Sequence, residues 1–82
     1  MPTMAIQSYK QMTKQLGQTI KRLREERGLS QENLAEQLEV SRTYLAYIEI
    51  GTRTPSIKML YKLATIFQVE MQALFAVNIP LH

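Results

Sequence analysis

The chain has 82 residues, 45% of them apolar and none of them cysteine, which allows one small domain with a compact core and excludes disulfide stapling and thiol chemistry. Ten basic and seven acidic residues leave a formal charge of +3, mild enough to exclude neither a nucleic-acid partner nor an ordinary solvated surface. No apolar run approaches the roughly eighteen residues that span a bilayer, and the N-terminus lacks the apolar core of a signal peptide, so the expected setting is cytoplasmic.

Residues 1–15 read as an N-terminal arm or a leading helical turn. Ile6, Tyr9 and Met12 stand three apart, which suits a helical stripe without requiring one. Charge is uneven in this part of the chain. Residues 1–24 carry Lys10, Lys14, Lys21, Arg22 and Arg24 and no acid. Such a segment suits a polyanionic partner, and it suits plain solubility equally well.

Helical periodicity begins at Leu16 and continues through Ile20 and Leu23 until Gly28 stops it. Ser30 is the predicted cap of a second, short helix, with Glu32 in its first turn and Leu34, Ala35 and Leu38 facing inward. After a break at Glu39 and Val40, Ser41 caps a third helix over "SRTYLAYIE", residues 41–49. Leu45 and Ile48 share its inner side, and Arg42, Thr43, Ala46 and Tyr47 form an outer face with no Lys or Glu on it. "IGTRTPS" is a loop marked by Gly51 and Pro55. Ser56 caps a fourth helix, whose Ile57, Leu60, Ala64 and Phe67 recur at helical spacing, and "EMQALF" reads as a last short helix. The predicted fold class is all-α, with five short helices, a domain over 16–76 and an apolar tail over 77–82 broken by Pro80.

Two short helices joined by a tight turn, from Gln31 to about Ile48, form a helix-turn-helix. Ala35 stands where the two helices must approach closely, Leu38, Leu45 and Ile48 plug the angle between them, and Val40 closes the turn. With both inner faces occupied, the outer face of the second helix protrudes and fits a major groove about 12 Å wide.

"LSQENLAEQLEVSRTYLAYIE" followed by "PSIKMLYKLATIFQVEMQALF" resembles the XRE family, the Cro and lambdoid-repressor type of helix-turn-helix domain, over roughly Leu16 to Phe75. "SRTYLAYIE" is also similar to the restriction–modification controller proteins, small free-standing members of that family. The resemblance implies a compact lambda-repressor-like DNA-binding domain, and it implies roles for individual residues. Gln31 would touch phosphate and brace the recognition helix. Arg42, Thr43 and Tyr47 would face the groove, with Arg42 placed for bidentate contact to guanine. Tyr44 would either pack at the flank or reach the DNA backbone. Thr52, Arg53 and Thr54 would hold phosphates, partly through backbone N–H groups. Arg24 and Glu49 would form an internal ion pair, which makes Glu49 structural.

Three positions depart from the family pattern. Glu39 stands where the turn commonly has Gly, Ile50 where a polar residue often meets the DNA backbone, and Glu70 where the last helix usually has a small hydroxyl cap. A left-handed backbone at Glu39 would cost about 1–2 kcal/mol, so an altered turn is one expectation.

The expected function is a sequence-specific DNA-binding transcriptional regulator, paired as a homodimer on a two-fold symmetric operator. Met71, Leu74, Phe75, Val77, Ile79 and Leu81 exceed what one small core needs and are the predicted dimer surface; docking of the tail within the monomer is the alternative. Lys58 and Lys62 are expected to be solvated. Two rival functions remain: an autoregulating antitoxin, and a protein-interaction module that has lost DNA reading. The only histidine is the last residue, His82, and Glu25 and Glu26 are adjacent and diverge on a helix. Neither a metal site, a cofactor nor catalysis is expected, and the sequence does not name an effector.

Overall fold

A computed structural model of the chain describes residues 8–75. The first helix, α1 (Tyr9–Glu26), starts a full two turns before Leu16 because Ser8 and Gln11 close its N-terminus reciprocally. The Ser8 hydroxyl accepts from the Gln11 N–H at 3.1 Å and the Gln11 carboxamide accepts from the Ser8 N–H at 3.2 Å, satisfying two amides that the helix itself cannot. Residues 9–15 are therefore part of the domain's longest helix. Its end is a left-handed turn at Gly28, φ 67°.

Helices α2 (Gln31–Leu38), α3 (Arg42–Ile50) and α4 (Ile57–Phe67) begin where the sequence places them. Ser30, Ser41 and Ser56 each accept the N–H three residues on, from Asn33, Tyr44 and Met59. The core these helices enclose contains Leu16, Ile20 and Leu23 of α1, Leu34, Ala35 and Leu38 of α2, and Leu45 and Ile48 of α3. Met59, Leu60, Leu63, Ala64 and Phe67 of α4 complete it with Leu74. Each large side chain buried in this way contributes about 1.5–3 kcal/mol against leaving it in water. Arg27 ties the ends of α1 and α4 together, donating to the Phe67 carbonyl at 3.1 and 2.7 Å while lying over the Phe67 ring.

Two expectations about the second half need correction. Ile57 does not face inward: it is 73% exposed, because the inner row of α4 passes through Met59, Leu60 and Leu63 and leaves the first helical residue outside. The last element is a 3-10 helix of five residues, Met71–Phe75, rather than an α-helix. Glu70 supplies a backbone acceptor to the Ala73 N–H, but it has no short side-chain oxygen of the kind that starts an α-helix. Among the described residues the fold is all-helical, with four α-helices and this 3-10 turn.

Candidate nucleic-acid interface

The α2–α3 turn sets the angle of the outward helix. Glu39 takes the left-handed conformation, φ 62° and ψ 41°, so the turn keeps the geometry that glycine would adopt, and the strain is absorbed rather than avoided. The Val40 N–H reaches back to the Ala35 carbonyl at 3.0 Å. Ala35 is buried between the helices, and Leu45 and Ile48 are fully enclosed beneath α3.

What α3 does not bury forms one face. Arg42, its first helical residue, Thr43 and Tyr47 are all exposed, Tyr47 at 45%. Arg42 makes no ion pair among the described residues. Ile50, seven residues beyond Thr43 and so on the same side, is 61% exposed. Tyr44 is half-buried against the core, with the Arg53 guanidinium 5.9 Å from its ring centroid. It packs at the flank, and its ring holds Arg53 beside α3. Lys58 and Lys62 of α4 line the same groove as Tyr44, and Lys62 lies 3.5 Å from the Glu39 carboxylate.

At its other end α3 is locked to α1. Arg24 Nε donates to Glu49 Oε2 at 2.7 Å and its Nη2 to Oε1 at 3.1 Å, a bidentate pair. The third guanidinium nitrogen donates to the Leu29 carbonyl at 2.7 Å. Both side chains are buried. The hydrogen bond to Glu49 raises the Arg24 pKa above the usual arginine value, against the opposing effect of burial, so this residue stays a cation. Gln31 Nε2 adds a donor to Glu49 Oε1 at 2.9 Å. Of its two expected tasks, Gln31 visibly performs the bracing one.

The loop after α3 corrects a further expectation. The amides of Thr52 and Arg53 and the Thr52 hydroxyl all donate to the Tyr47 carbonyl, so those two backbone N–H groups are not available to a phosphate. The Arg53 side chain stays exposed beside the Tyr44 ring. The Thr54 hydroxyl is hydrogen-bonded to that of Tyr9 in the first turn of α1.

Sequence reasoning missed two parts of this arrangement. One is Tyr9, left outside the domain. The other is Gly17, where a Cβ would stand 2.6 Å from the Glu49 carbonyl oxygen and nearer still to that of Ile48. A glycine in a helix interior costs about 1 kcal/mol relative to alanine, and this unexplained cost was the available signal of a close backbone approach. For the predicted dimer surface, Leu74 is fully buried within the monomer and so is not free to face a partner, while Met71 is half-buried against the core. Phe75 is 40% exposed. Val77, Ile79 and Leu81 lie outside the described residues. Among the described residues no cluster of His, Cys, Asp or Glu is arranged to hold a metal, and no helix is long and apolar enough to cross a membrane.

A helix-turn-helix family model matches residues 20–74. The chain belongs to the helix-turn-helix family, of the XRE type. It is 41% identical over 61 residues to the ImmF control region 10 kDa protein of Bacillus phage phi105, covering 74% of this chain and 68% of that protein. Its fold matches the restriction-modification controller protein C.AhdI from Aeromonas hydrophila with a TM-score of 0.72 and 38% identity, over 77% of this chain and 96% of the other. SinR, a master regulator for biofilm formation solved in complex with DNA, matches with a TM-score of 0.69 and 39% identity, over 74% of this chain and 98% of that one.

Proposed function

We propose that this chain is a cytoplasmic, sequence-specific transcriptional regulator that enters the major groove with α3 and binds a two-fold symmetric operator as a homodimer. The observation that carries the reading is the outer face of α3. Arg42, Thr43 and Tyr47 are exposed together on a helix that the Arg24–Glu49 pair and the turn at Glu39 hold rigidly outward. The similarity to SinR, solved with DNA, supports the same reading.

In this reading Arg42 contacts a guanine through O6 and N7, Thr43 and Tyr47 touch neighbouring base edges, and Gln31, Arg53 and Thr54 fix the backbone on either side. Thr52 supports the loop and Tyr44 supports Arg53. One recognition helix is too little surface for the usual specific affinity, which is the argument for two copies with their helices about 34 Å apart. Phe75, together with Ile57 and Tyr61, which are four residues apart on α4 and exposed, supplies apolar surface for that pairing.

The test is a gel shift against the DNA upstream of the chain's own gene, with Arg42→Ala beside the wild type. Arg42→Ala is expected to cost about 1–3 kcal/mol and to relax preference at one base position. Equal loss on every sequence would make Arg42 a phosphate contact instead. Sedimentation at micromolar concentration that finds monomer alone would remove the dimer.

A further inference from the structure

We propose that Lys10, Lys14 and Lys21 form a second anion-binding edge, continuous with the loop after α3, that takes the sugar–phosphate backbone beside the groove α3 enters. The inference rests on the DNA-binding reading above and adds a surface to it.

The three lysines are four and seven residues apart, which places them along one edge of α1. The neighbours on that edge identify what it lies against. Gly17 is the point where the α1 backbone meets the carbonyls of Ile48 and Glu49. One turn earlier, the Lys14 Cα lies 2.7 Å from where a Cβ on Gly51 would stand. At the start of the helix, Tyr9 is hydrogen-bonded to Thr54. Three residues after Lys21, Arg24 grips Glu49, which in turn holds Gln31 at the start of α2. The edge thus runs from the start of α2, past the C-terminal end of α3, to the loop at Thr54. It joins two places that the reading above assigns to phosphate.

Charge supports the same partner. Lys10, Lys14 and Lys21 are exposed, and none of them forms an ion pair among the described residues. No acid occurs in α1 before Glu25. Arg22, by contrast, stands about 100° round the helix from Lys21, and its charge is matched by Glu26 at 3.0 Å. An uncompensated row of three cations flanking the recognition helix is complementary to the regular charge of a duplex backbone.

The experiment measures binding of a 30-base-pair duplex of arbitrary sequence by fluorescence anisotropy across a salt series, so that it needs no knowledge of the operator. The variants are Lys10→Gln/Lys14→Gln/Lys21→Gln and, as a control for net charge, Arg22→Gln. Three lost phosphate contacts lower the salt slope by about 2.7. Between 50 and 200 mM salt the wild type should accordingly lose about fortyfold more affinity than the triple variant. Arg22→Gln should leave the slope where it was. An unchanged slope in the triple variant, with intact helical circular dichroism, overturns the edge and leaves the DNA-binding reading standing. Equal slope changes in both variants overturn it too, because net charge would then be the cause. Lysines that only complement the C-terminal dipole of α3 would lower the melting temperature on substitution without moving the slope, a third overturning result. A wild type that binds no duplex at all removes the DNA-binding reading and this edge together.

Discussion

Recognition helix α3 is fixed at its two ends by different means. At the C-terminal end α1 passes so close that Gly17 lies against the carbonyls of Ile48 and Glu49 and Gly51 lies against the Lys14 backbone, with the buried Arg24–Glu49 pair alongside. At the N-terminal end the link to α2 is a turn of ordinary hydrogen bonds whose left-handed position carries a glutamate, 81% exposed at its side chain. One end is closed to any added atom. The other carries avoidable strain and open space. A helix that holds three exposed side chains on one face needs one fixed reference point, and here that point is the α1 contact.

The largest expected effect comes from closing the tight end further. Gly17→Ala places a methyl group on two backbone carbonyls that cannot rotate away, so α1 and α3 must separate. Thermal or urea unfolding should show a loss of at least about 3 kcal/mol, the upper part of the range for overpacking. This outweighs the gain of about 1 kcal/mol that alanine brings as the better helix former. A Gly17→Ala protein as stable as the wild type would mean that the two backbones are not in contact, and the comparison would lose its first half.

The ion pair at the same end carries an effect of comparable size. Arg24→Ala strands the Glu49 carboxylate in a buried position and should cost about 3–5 kcal/mol. The double change Arg24→Leu/Glu49→Leu removes both charges and fills the space, and is expected to recover much of that loss. It also leaves the Gln31 amide and the Leu29 carbonyl without the partners they have now, so recovery should fall short of complete. A double variant no better than Arg24→Ala would show that the hydrogen-bond network, rather than the stranded charge, carries the energy.

The part of this architecture that could be read from the sequence is the part encoded locally. Ser30, Ser41 and Ser56 each precede a helix that they cap, and the plugs Leu38, Leu45 and Ile48 are apolar at helical spacing. The start of α1 was also encoded, because Ser8 and Gln11 are the three-residue capping spacing, but the ambiguous spacing of Ile6, Tyr9 and Met12 obscured it. Outward placement of Arg42, Thr43 and Tyr47 followed from elimination once the inner side of α3 was occupied. What stayed hidden depends on contacts between distant segments. Gly17 meets α3 across thirty-one residues of sequence, counting to Ile48. The loop amides turn to the Tyr47 carbonyl, a choice made by backbone geometry that residue type does not signal. The place of Leu74 in the monomer core is hidden too, because periodicity marks a residue as apolar without saying which surface covers it.

The smallest expected effect tests the permissive end. A residue with a Cβ in the left-handed region costs about 1–2 kcal/mol, whereas glycine loses about 0.5–1 kcal/mol more in chain entropy on folding than other residues. Glu39→Gly should therefore stabilise the protein by up to about 1.5 kcal/mol. The contact that it removes, with Lys62 at 3.5 Å, is exposed and offsets little of this. The same exchange in reverse, Gly51→Ala at φ 87°, meets both the left-handed penalty and the Lys14 backbone at 2.7 Å, so it should destabilise by more than Glu39→Gly gains. Both positions are left-handed C-terminal caps, Glu39 of α2 and Gly51 of α3, and the space around them differs. If Gly51→Ala costs more than Glu39→Gly gains, packing adds to backbone conformation at Gly51 and separates the two ends of α3; equal and opposite changes would leave backbone conformation as the whole difference. A loss of stability in both would make the backbone of Glu39 part of the fixed frame as well.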